Sequence, residues 1–382
     1  MLYREIGTTG VKASILGFGC MRLPILDGQP DHIDHARAAE MLHHAIEAGV
    51  NYVDTAWFYH AVQMGQRGTS EPFVGEALSG GWRDRVNIAT KLPVGLVKER
   101  GDMDRFLAEQ LERLQTDHID FYLLHGLSGT SWDRVRELGA LEFLEDAQAK
   151  GLIRFPAFSF HGADEDFIRI CDGYDRWAFA QIQYNYMDTE FQAGYAGLRH
   201  AADKGMGIVV MEPLKGGKLA ANLAPDVQAI FDEADPTRSP ADWALRYVWN
   251  EPGVSLALSG MNTLDQVIAN VAAAQHGVAG SLTAEELAVY DRVCAAMRAR
   301  HTVDCTACRY CMPCESGVDI PGVLAALNAA ATWGDPNPWL CGYTSLKGKA
   351  DLCTKCGTCE TLCPQSLPIM DLLEQATALF SA

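Results

Sequence analysis

The chain has 382 residues, of which 48% are apolar and 21% are charged. This composition is typical of a packed globular protein and excludes an intrinsically disordered chain, and the length allows more than one domain. The net charge of −18 argues against nucleic-acid binding through a basic surface, because no run of lysine and arginine is available to neutralise phosphates.

The N-terminus and the cysteines indicate the compartment. Residues 1–5 lack the charged and then apolar layout of a signal peptide. No stretch of the sequence approaches the ~20 consecutive apolar residues that span a bilayer. We therefore expect a cytoplasmic protein with no membrane partner. In that reducing compartment the 12 cysteines indicate metal ligation or redox chemistry rather than disulfides.

Short apolar segments alternate with amphipathic segments along the first 300 residues. Eight of them are predicted strands, over residues 15–19, 51–54, 86–91, 119–125, 153–158, 179–183, 207–211 and 254–258. The clearest helical patterns cover residues 36–48, 103–114, 133–150, 239–249 and 283–299. This alternation predicts an α/β fold, a (β/α)8 barrel of the TIM type. A doubly wound open sheet is the alternative, but no Gly-x-Gly-x-x-Gly motif follows the first strand.

The cysteine distribution divides the chain. Only Cys20, Cys171 and Cys294 occur in the first 300 residues, whereas nine cysteines lie between positions 305 and 363. We place a domain boundary near residues 298–302, which predicts a barrel over residues 1–300 and a small, mainly helical domain over residues 301–382. The three early cysteines are expected to pack as small hydrophobic residues.

Four chemically active side chains lie at the ends of the second, third and fourth predicted strands or just after them. They are Asp54, Tyr59, Lys91 and His125. In a barrel, the carboxyl ends of the strands form one rim, and catalytic residues lie there. A lysine ammonium is expected to lower the pKa of a neighbouring tyrosine from about 10, and a carboxylate keeps the lysine charged. A histidine can orient a carbonyl oxygen, so the set predicts protonation of a carbonyl as a hydride arrives.

The segments that carry these residues resemble the aldo/keto reductase family. The resemblance rests on Gly49-Val-Asn-Tyr-Val-Asp-Thr-Ala-Trp-Phe-Tyr59, on Ala89-Thr-Lys91 and on Tyr122-Leu-Leu-His125, and it extends over residues 1 to about 275. It implies that Tyr59 is the general acid, that Asp54 and Lys91 tune it, and that His125 orients the carbonyl of a small-molecule substrate. It also implies that NADP(H) or NAD(H) supplies the hydride.

The resemblance also places a cofactor site, although the match is weaker there. It implies that Ser159, Gln183 and Asn185 hold the nicotinamide carboxamide. The implied contacts to the rest of the cofactor come from Pro213, Leu214, Lys215, Gly217, Ser259, Gly260, Asn262, Gln266 and Asn270. The last of these segments lacks the Arg or Lys that would recognise a 2′-phosphate, which leaves NADP(H) and NAD(H) both open. Phe160-His161 and Met211-Glu212 replace residues that the family usually has, and this keeps a flavin as a third candidate.

Two runs of cysteines have iron–sulfur spacing. The second run, Cys353-x-x-Cys356-x-x-Cys359-x-x-x-Cys363-Pro364, matches the bacterial ferredoxin motif, in which the fourth cysteine ligates the other cluster. Its partner is Cys305-x-x-Cys308-x-x-Cys311-x-x-Cys314. We predict two [4Fe–4S] clusters, one on Cys305, Cys308, Cys311 and Cys363 and the other on Cys353, Cys356, Cys359 and Cys314. Structural zinc is the alternative, with Cys341 as a spare thiol or replacement ligand.

Some barrels of this family are joined to a ferredoxin-like tail and form a subgroup. Segment 310–314, Tyr-Cys-Met-Pro-Cys, resembles the corresponding segment of that subgroup. Three functions stay open. The protein is a carbonyl reductase with structural or regulatory clusters, or a flavin enzyme that receives single electrons from ferredoxin or another carrier. The third is a catalytically idle electron-transfer or redox-sensing module. Flavin enters because hydride moves two electrons whereas a cluster accepts one. The sequence specifies neither the substrate nor the oligomeric state.

Overall fold

The computed structural model describes residues 1–63, 65–305, 307–338 and 341–380. The chain forms two compact units. The first consists of Met1–Leu219 and Ala241–Leu282, and the second of Ala220–Pro240 and Thr283–Ala382. In the described part of the chain, no helix has the length and apolarity needed to cross a membrane.

The first unit is a closed barrel of eight parallel strands, as predicted. An antiparallel hairpin of β1 (Tyr3–Glu5) and β2 (Lys12–Ser14) precedes it. The barrel strands follow in chain order and are β3 (Leu16–Gly19), β4 (Tyr52–Asp54), β5 (Asn87–Leu92), β6 (Ile119–Leu127), β7 (Ile153–Phe160), β8 (Phe179–Gln183), β9 (Gly207–Met211) and β10 (Leu256–Ser259). Strand β10 pairs with β3 and closes the barrel. The prediction of a (β/α)8 barrel is confirmed, and the open sheet is excluded.

Helices alternate with these strands. The first seven are α1 (His35–Glu47), α2 (Ser70–Ala77), α3 (Arg100–Arg113), α4 (Gly129–Glu137), α5 (Ala140–Ala149), α6 (Asp164–Asp172) and α7 (Gly194–Asp203). The remaining helices are α8 (Pro225–Ala234), α9 (Pro240–Asn250), α10 (Leu264–Ala273), α11 (Ala284–Ala299), α12 (Ile320–Trp333), α13 (Thr358–Leu362) and α14 (Ile369–Phe380). The prediction of a single helix over residues 133–150 is wrong. It is two helices, because Gly139 has a left-handed φ of 81° that breaks the helical path.

Apolar side chains fill the interior of the barrel from its N-terminal end. Tyr52, Phe121, Leu123, Phe179 and Val209 are fully buried there, and every second residue of a strand points inward. The hairpin contributes Ile6 to the same cluster. A Cβ at Gly207 would lie 2.8 Å from the Ile6 side chain, so only glycine fits where the hairpin meets β9. These side chains close the N-terminal end of the barrel, so the C-terminal rim of the strands is its open face.

The second unit packs mainly helices around its own core. Val323, Leu324 and Leu327 of α12 and Leu373 and Ala376 of α14 are central to that core. The second unit also includes helices α8 and α11, which precede the predicted boundary near residue 300. The two-domain division at that residue therefore stays a prediction, whereas the small helical C-terminal region is present as expected.

Candidate functional site

Lys91 is the centre of a polar cluster at the rim of the barrel. Its ammonium nitrogen lies 2.8 Å from both carboxylate oxygens of Asp54, 2.9 Å from the carbonyl oxygen of Thr55 and 3.0 Å from the hydroxyl of Tyr59. The Lys91 side chain is fully buried and that of Asp54 is 2% exposed. Asp54 ends β4, and Lys91 lies one residue before the end of β5. Neighbouring parallel strands thus bring together three of the predicted catalytic residues.

Burial decides the acidity of the tyrosine. It raises the pKa of Tyr59 to about 12, although the Lys91 ammonium acts in the opposite direction. The expectation of a lowered pKa is therefore wrong for the free site, since desolvation of the phenolate outweighs its attraction to the ammonium. For Lys91, burial alone lowers the pKa, but Asp54 and Tyr59 reverse this and raise it. At neutral pH the lysine is charged and the tyrosine holds its proton.

His125 completes the predicted set. Its ring lies 6.2 Å from the Tyr59 ring, centroid to centroid, at an angle of 82°. Burial, together with the positive charge of Lys91, lowers the pKa of His125 to about 3, so the imidazole is neutral. Within the described residues, its buried Nδ1 has no hydrogen-bond partner. His125 therefore offers a neutral ring that can hydrogen bond to a ligand.

A buried carboxylate supports the strand that carries the lysine. Glu71 accepts hydrogen bonds from Thr90 (2.6 Å), Gln110 (2.5 Å) and Arg113 (2.9 Å). Arg113 also donates to the carbonyl oxygen of Gly68, in the loop that holds the tyrosine. The partners of Glu71 lie 19 to 42 residues away along the chain, so no local sequence pattern predicts this network.

Tyr59 and His125 line a cavity of about 950 Å³ that opens at the rim. This volume matches that of pockets for small organic ligands and cofactors. His60, also in its wall, accepts a hydrogen bond from the Leu23 amide (3.2 Å), and its Nδ1 lies 2.7 Å from the Pro30 carbonyl oxygen. The half-buried ring of His60 links the loop after β3 to the tyrosine loop.

Three of the predicted cofactor residues, Gln183, Asn185 and Lys215, share one partner, Asp188. Asp188 accepts hydrogen bonds from Gln183 (2.9 Å) and Asn185 (3.2 Å), and it pairs with Lys215. Ser159 is buried near the end of β7, and its hydroxyl accepts a hydrogen bond from the Gly126 amide at 2.7 Å. These residues occupy the same rim as the catalytic cluster, on its opposite strands.

The other predicted cofactor residues follow β9 and β10. Pro213, Leu214, Lys215 and Gly217 form a tight turn, in which Lys215 and Gly217 have φ angles of 47° and 95°. After β10, Asn270 donates to the Ser259 hydroxyl (3.0 Å), and the Asn262 amide donates to Gln266 (2.9 Å). Gly260 lies under the Arg22 side chain, and Asn262 lines the cavity.

Gln181 is a candidate residue that the sequence analysis missed. It is 2% exposed and lies directly beside Ser159 in the register of β7 and β8. Among the described residues its buried carbonyl oxygen has no hydrogen-bond partner, and its amide contacts the sulfur of Met211 at 3.8 Å. The sequence pattern could have predicted Gln181, since residues 179, 181 and 183 of one strand must face the same side.

The eight motif cysteines surround two separate cavities in the second unit. Cys305, Cys308, Cys311 and Cys363 line one of them. The other is lined by Cys353, Cys356, Cys359 and Cys314, and Cys311 lines it as well. The last cysteine of each run thus lies with the other run. Burial raises the pKa of the Cys311 thiol, and the neighbouring thiols of its own set add to this. No three or more His, Cys, Asp or Glu residues of the described chain converge on a site for one metal ion.

The remaining cysteines have no place in these two sets. Cys20, Cys171, Cys294 and Cys341 are buried.

Comparisons with known proteins agree with this architecture. The chain is 28% identical to the aldo-keto reductase AKR11C1 of Bacillus halodurans, solved in a holo form, with a TM-score of 0.61 over 77% of this chain and 96% of that one. It is 26% identical to the uncharacterized oxidoreductase YqkF of Bacillus subtilis over 75% of this chain and 94% of the relative. A 6-dehydroglucose reductase of Novosphingobium aromaticivorans is 27% identical over 61% of this chain and 75% of its own length.

Two family models match adjacent parts of the sequence. The model of the aldo/keto reductase family matches residues 15–293. The model of a 4Fe-4S dicluster domain matches residues 304–368, which contain all eight motif cysteines. The chain therefore belongs to the aldo/keto reductase family and is an oxidoreductase of that family with a C-terminal 4Fe-4S dicluster domain.

Proposed function

We propose that the barrel is an NAD(P)H-dependent carbonyl reductase with Tyr59 as its general acid. The observation that carries this proposal is the position of the Lys91 ammonium, which contacts Asp54 and the Tyr59 hydroxyl oxygen together. A hydroxyl that accepts from an ammonium keeps its own proton for another acceptor. That acceptor is the carbonyl oxygen of a small molecule in the cavity that Tyr59 and His125 line.

Each side chain has a defined part in the proton transfer. Tyr59 donates its proton to the carbonyl oxygen as negative charge develops there, and Lys91 stabilises the resulting phenolate. Asp54 keeps the lysine charged and fixes its position. His125, which is neutral because its pKa is about 3, donates a hydrogen bond to the same carbonyl oxygen and orients it.

The residues near the rim fit a nicotinamide cofactor. Ser159 and Gln181 lie side by side, and the unpartnered carbonyl oxygen of Gln181 is the acceptor that a carboxamide N–H needs. When bound, reduced nicotinamide supplies the hydride. The predicted nucleotide site includes Ser259 at the end of β10 and Asn262 and Gln266 after it, and none of these is a cation. We therefore propose that NADH and NADPH are both accepted.

We propose that the eight motif cysteines hold two [4Fe–4S] clusters. Each cluster is bound by the first three cysteines of one run and the last cysteine of the other run. Two four-cysteine sets around separate cavities, each completed by the last cysteine of the other run, support it. Thiolates at ferredoxin spacing are the donor set that such clusters require. The clusters are structural or regulatory in this proposal, because the carbonyl reduction needs no single-electron step. A flavin fed by ferredoxin remains the competing function.

The visible spectrum of anaerobically purified protein tests the proposal, recorded before and after addition of NADPH and then NADH. We expect a brown band that neither nucleotide bleaches, together with nucleotide oxidation once an aldehyde is added. Bleaching by the nucleotide alone, with flavin released on denaturation, would favour the competing function. A colourless protein would contradict the two iron–sulfur clusters and favour structural zinc at the cysteines.

Cofactor binding is tested by a Gln181→Ala variant. Loss of a hydrogen bond to the carboxamide is expected to raise the KM for NADH about tenfold. The control is Gln228→Ala on α8, whose amide donates a hydrogen bond to Asp232 on the surface. An unchanged KM for both nucleotides would remove Gln181 from the cofactor site.

A further inference from the structure

The walls of the catalytic cavity carry an excess of positive charge. The chain has 49 acidic residues against 31 lysines and arginines. Yet the described residues that line this cavity include Arg22 and Arg37 but no aspartate or glutamate. A concave site with one sign of charge attracts ligands of the opposite sign. The charge of the cavity is thus opposite to that of the whole chain.

The two arginines differ in what they contact. Arg22 lies 3.7 Å from the Glu212 carboxylate, and its side chain covers Gly260. Arg37 lies in the first turn of α1, where its backbone amide donates to Asp34. Within the described residues, the Arg37 guanidinium makes no hydrogen bond, ion pair or stacking contact. Its five donors are therefore available to a molecule in the cavity.

The rest of the wall on this side is apolar or neutral. Leu23, Pro24 and Pro30 line it, with Met21 and Ile25 exposed at the mouth. His60 is held between two backbone groups, and burial lowers its pKa, so it adds no charge at neutral pH. An apolar wall with one unpaired guanidinium suits a ligand that has an apolar body and a terminal anion.

We propose that Arg37 binds an oxyanion group, a carboxylate or a phosphate, on the carbonyl substrate. This inference rests on the proposed carbonyl reduction and specifies the substrate class for the same cavity. The carbonyl oxygen lies at Tyr59 and His125, the apolar body lies against the proline-containing wall, and the anion pairs with the guanidinium. No bond is made or broken at Arg37, which acts in recognition alone.

The test compares substrates that differ in charge and source of the anion. The kcat/KM is measured for 4-carboxybenzaldehyde, 4-formylphenyl phosphate and neutral 4-methylbenzaldehyde in the wild type and in Arg37→Met. We expect the ratio of anionic to neutral kcat/KM to fall about tenfold in the variant, through KM, and Arg37→Lys to restore part of it. The better of the two anionic aldehydes identifies the anion. An unchanged ratio would overturn the proposal.

Two further measurements complete the test. Arg136→Met on α4, an exposed arginine outside the cavity, is expected to leave the ratio unchanged. If instead Arg37→Met raises the KM for NADPH but not for NADH, the guanidinium binds the cofactor's 2′-phosphate and the proposal is wrong. Calorimetric binding of 4-(hydroxymethyl)benzoate gives a readout without turnover. Binding that Arg37→Met abolishes would support the anion site even if the reductase proposal failed.

Discussion

The buried lysine allows the sharpest prediction, because a single substitution removes the counter-charge of Asp54. In Lys91→Met, the carboxylate would lose both 2.8 Å contacts and remain only 2% exposed. The Tyr59 hydroxyl would lose its 3.0 Å contact as well. Methionine has nearly the length of lysine, so the change isolates charge from volume.

The expected cost follows from this geometry. Removal of one partner from a buried ion pair destabilises a protein by about 3–5 kcal/mol, because the other charge is left uncompensated. The carboxyl can escape by taking up a proton, and burial already raises its pKa. A group whose pKa is higher folded than unfolded stabilises the fold at low pH, and this contribution is lost as pH rises. The variant is therefore expected to be less destabilised at pH 5 than at pH 8.

Urea unfolding, followed by the fluorescence of buried barrel tryptophans such as Trp132 and Trp249, measures this cost. Lys98→Met makes the same substitution at an exposed position and is expected to change the free energy of unfolding by less than about 0.5 kcal/mol. The double variant Lys91→Met/Asp54→Asn removes both charges and is expected to regain part of the loss. If Lys91→Met were as stable as Lys98→Met at pH 8, the account of a desolvated ion pair would be refuted.

Three further predictions concern catalysis and the cysteines. Tyr59→Phe is expected to lower kcat for aldehyde reduction by about 10²- to 10⁴-fold while the circular dichroism spectrum stays unchanged; a fall below tenfold would remove its role as general acid. The pKa of His125 is near 3 and that of Tyr59 is near 12. We therefore expect kcat/KM for a neutral aldehyde to be constant from pH 5.5 to 9. A decrease of kcat/KM below about pH 6.5 would contradict this and show that the histidine becomes charged. Cys314→Ser/Cys353→Ser is expected to keep about half of the iron, whereas Cys305→Ser/Cys314→Ser loses nearly all of it; the reverse would show that each run binds its own cluster.

Much of the barrel follows from the sequence for a physical reason. Strands buried on both faces are short apolar runs, and helices between them show a 3.6-residue period, so both signals are local. The four catalytic candidates were found because each lies near the carboxyl end of a strand or shortly after it, and strand ends converge in a barrel. Lys91 and Asp54 are 37 residues apart, yet their strands are neighbours in the register.

Contacts that depend on tertiary packing could not be predicted in this way. The tyrosine pKa was predicted in the wrong direction, since the sequence shows the lysine but not the burial that outweighs it. The bond from the Leu23 amide to His60 links loops 37 residues apart and has no local signal. Gln181 was overlooked in favour of Gln183, although both face inward, because only the register shows which one lies beside Ser159.

The most direct test of the account follows the hydride. The anaerobic protein is supplied with NADPH or NADH carrying deuterium at both C4 positions, together with 4-carboxybenzaldehyde, and the alcohol product is analysed by mass spectrometry and NMR. The account predicts one deuterium on the carbinol carbon, and loss of that product in Tyr59→Phe. An alcohol whose carbinol hydrogen comes from solvent, or nucleotide oxidation without any alcohol, would contradict direct hydride transfer in the barrel.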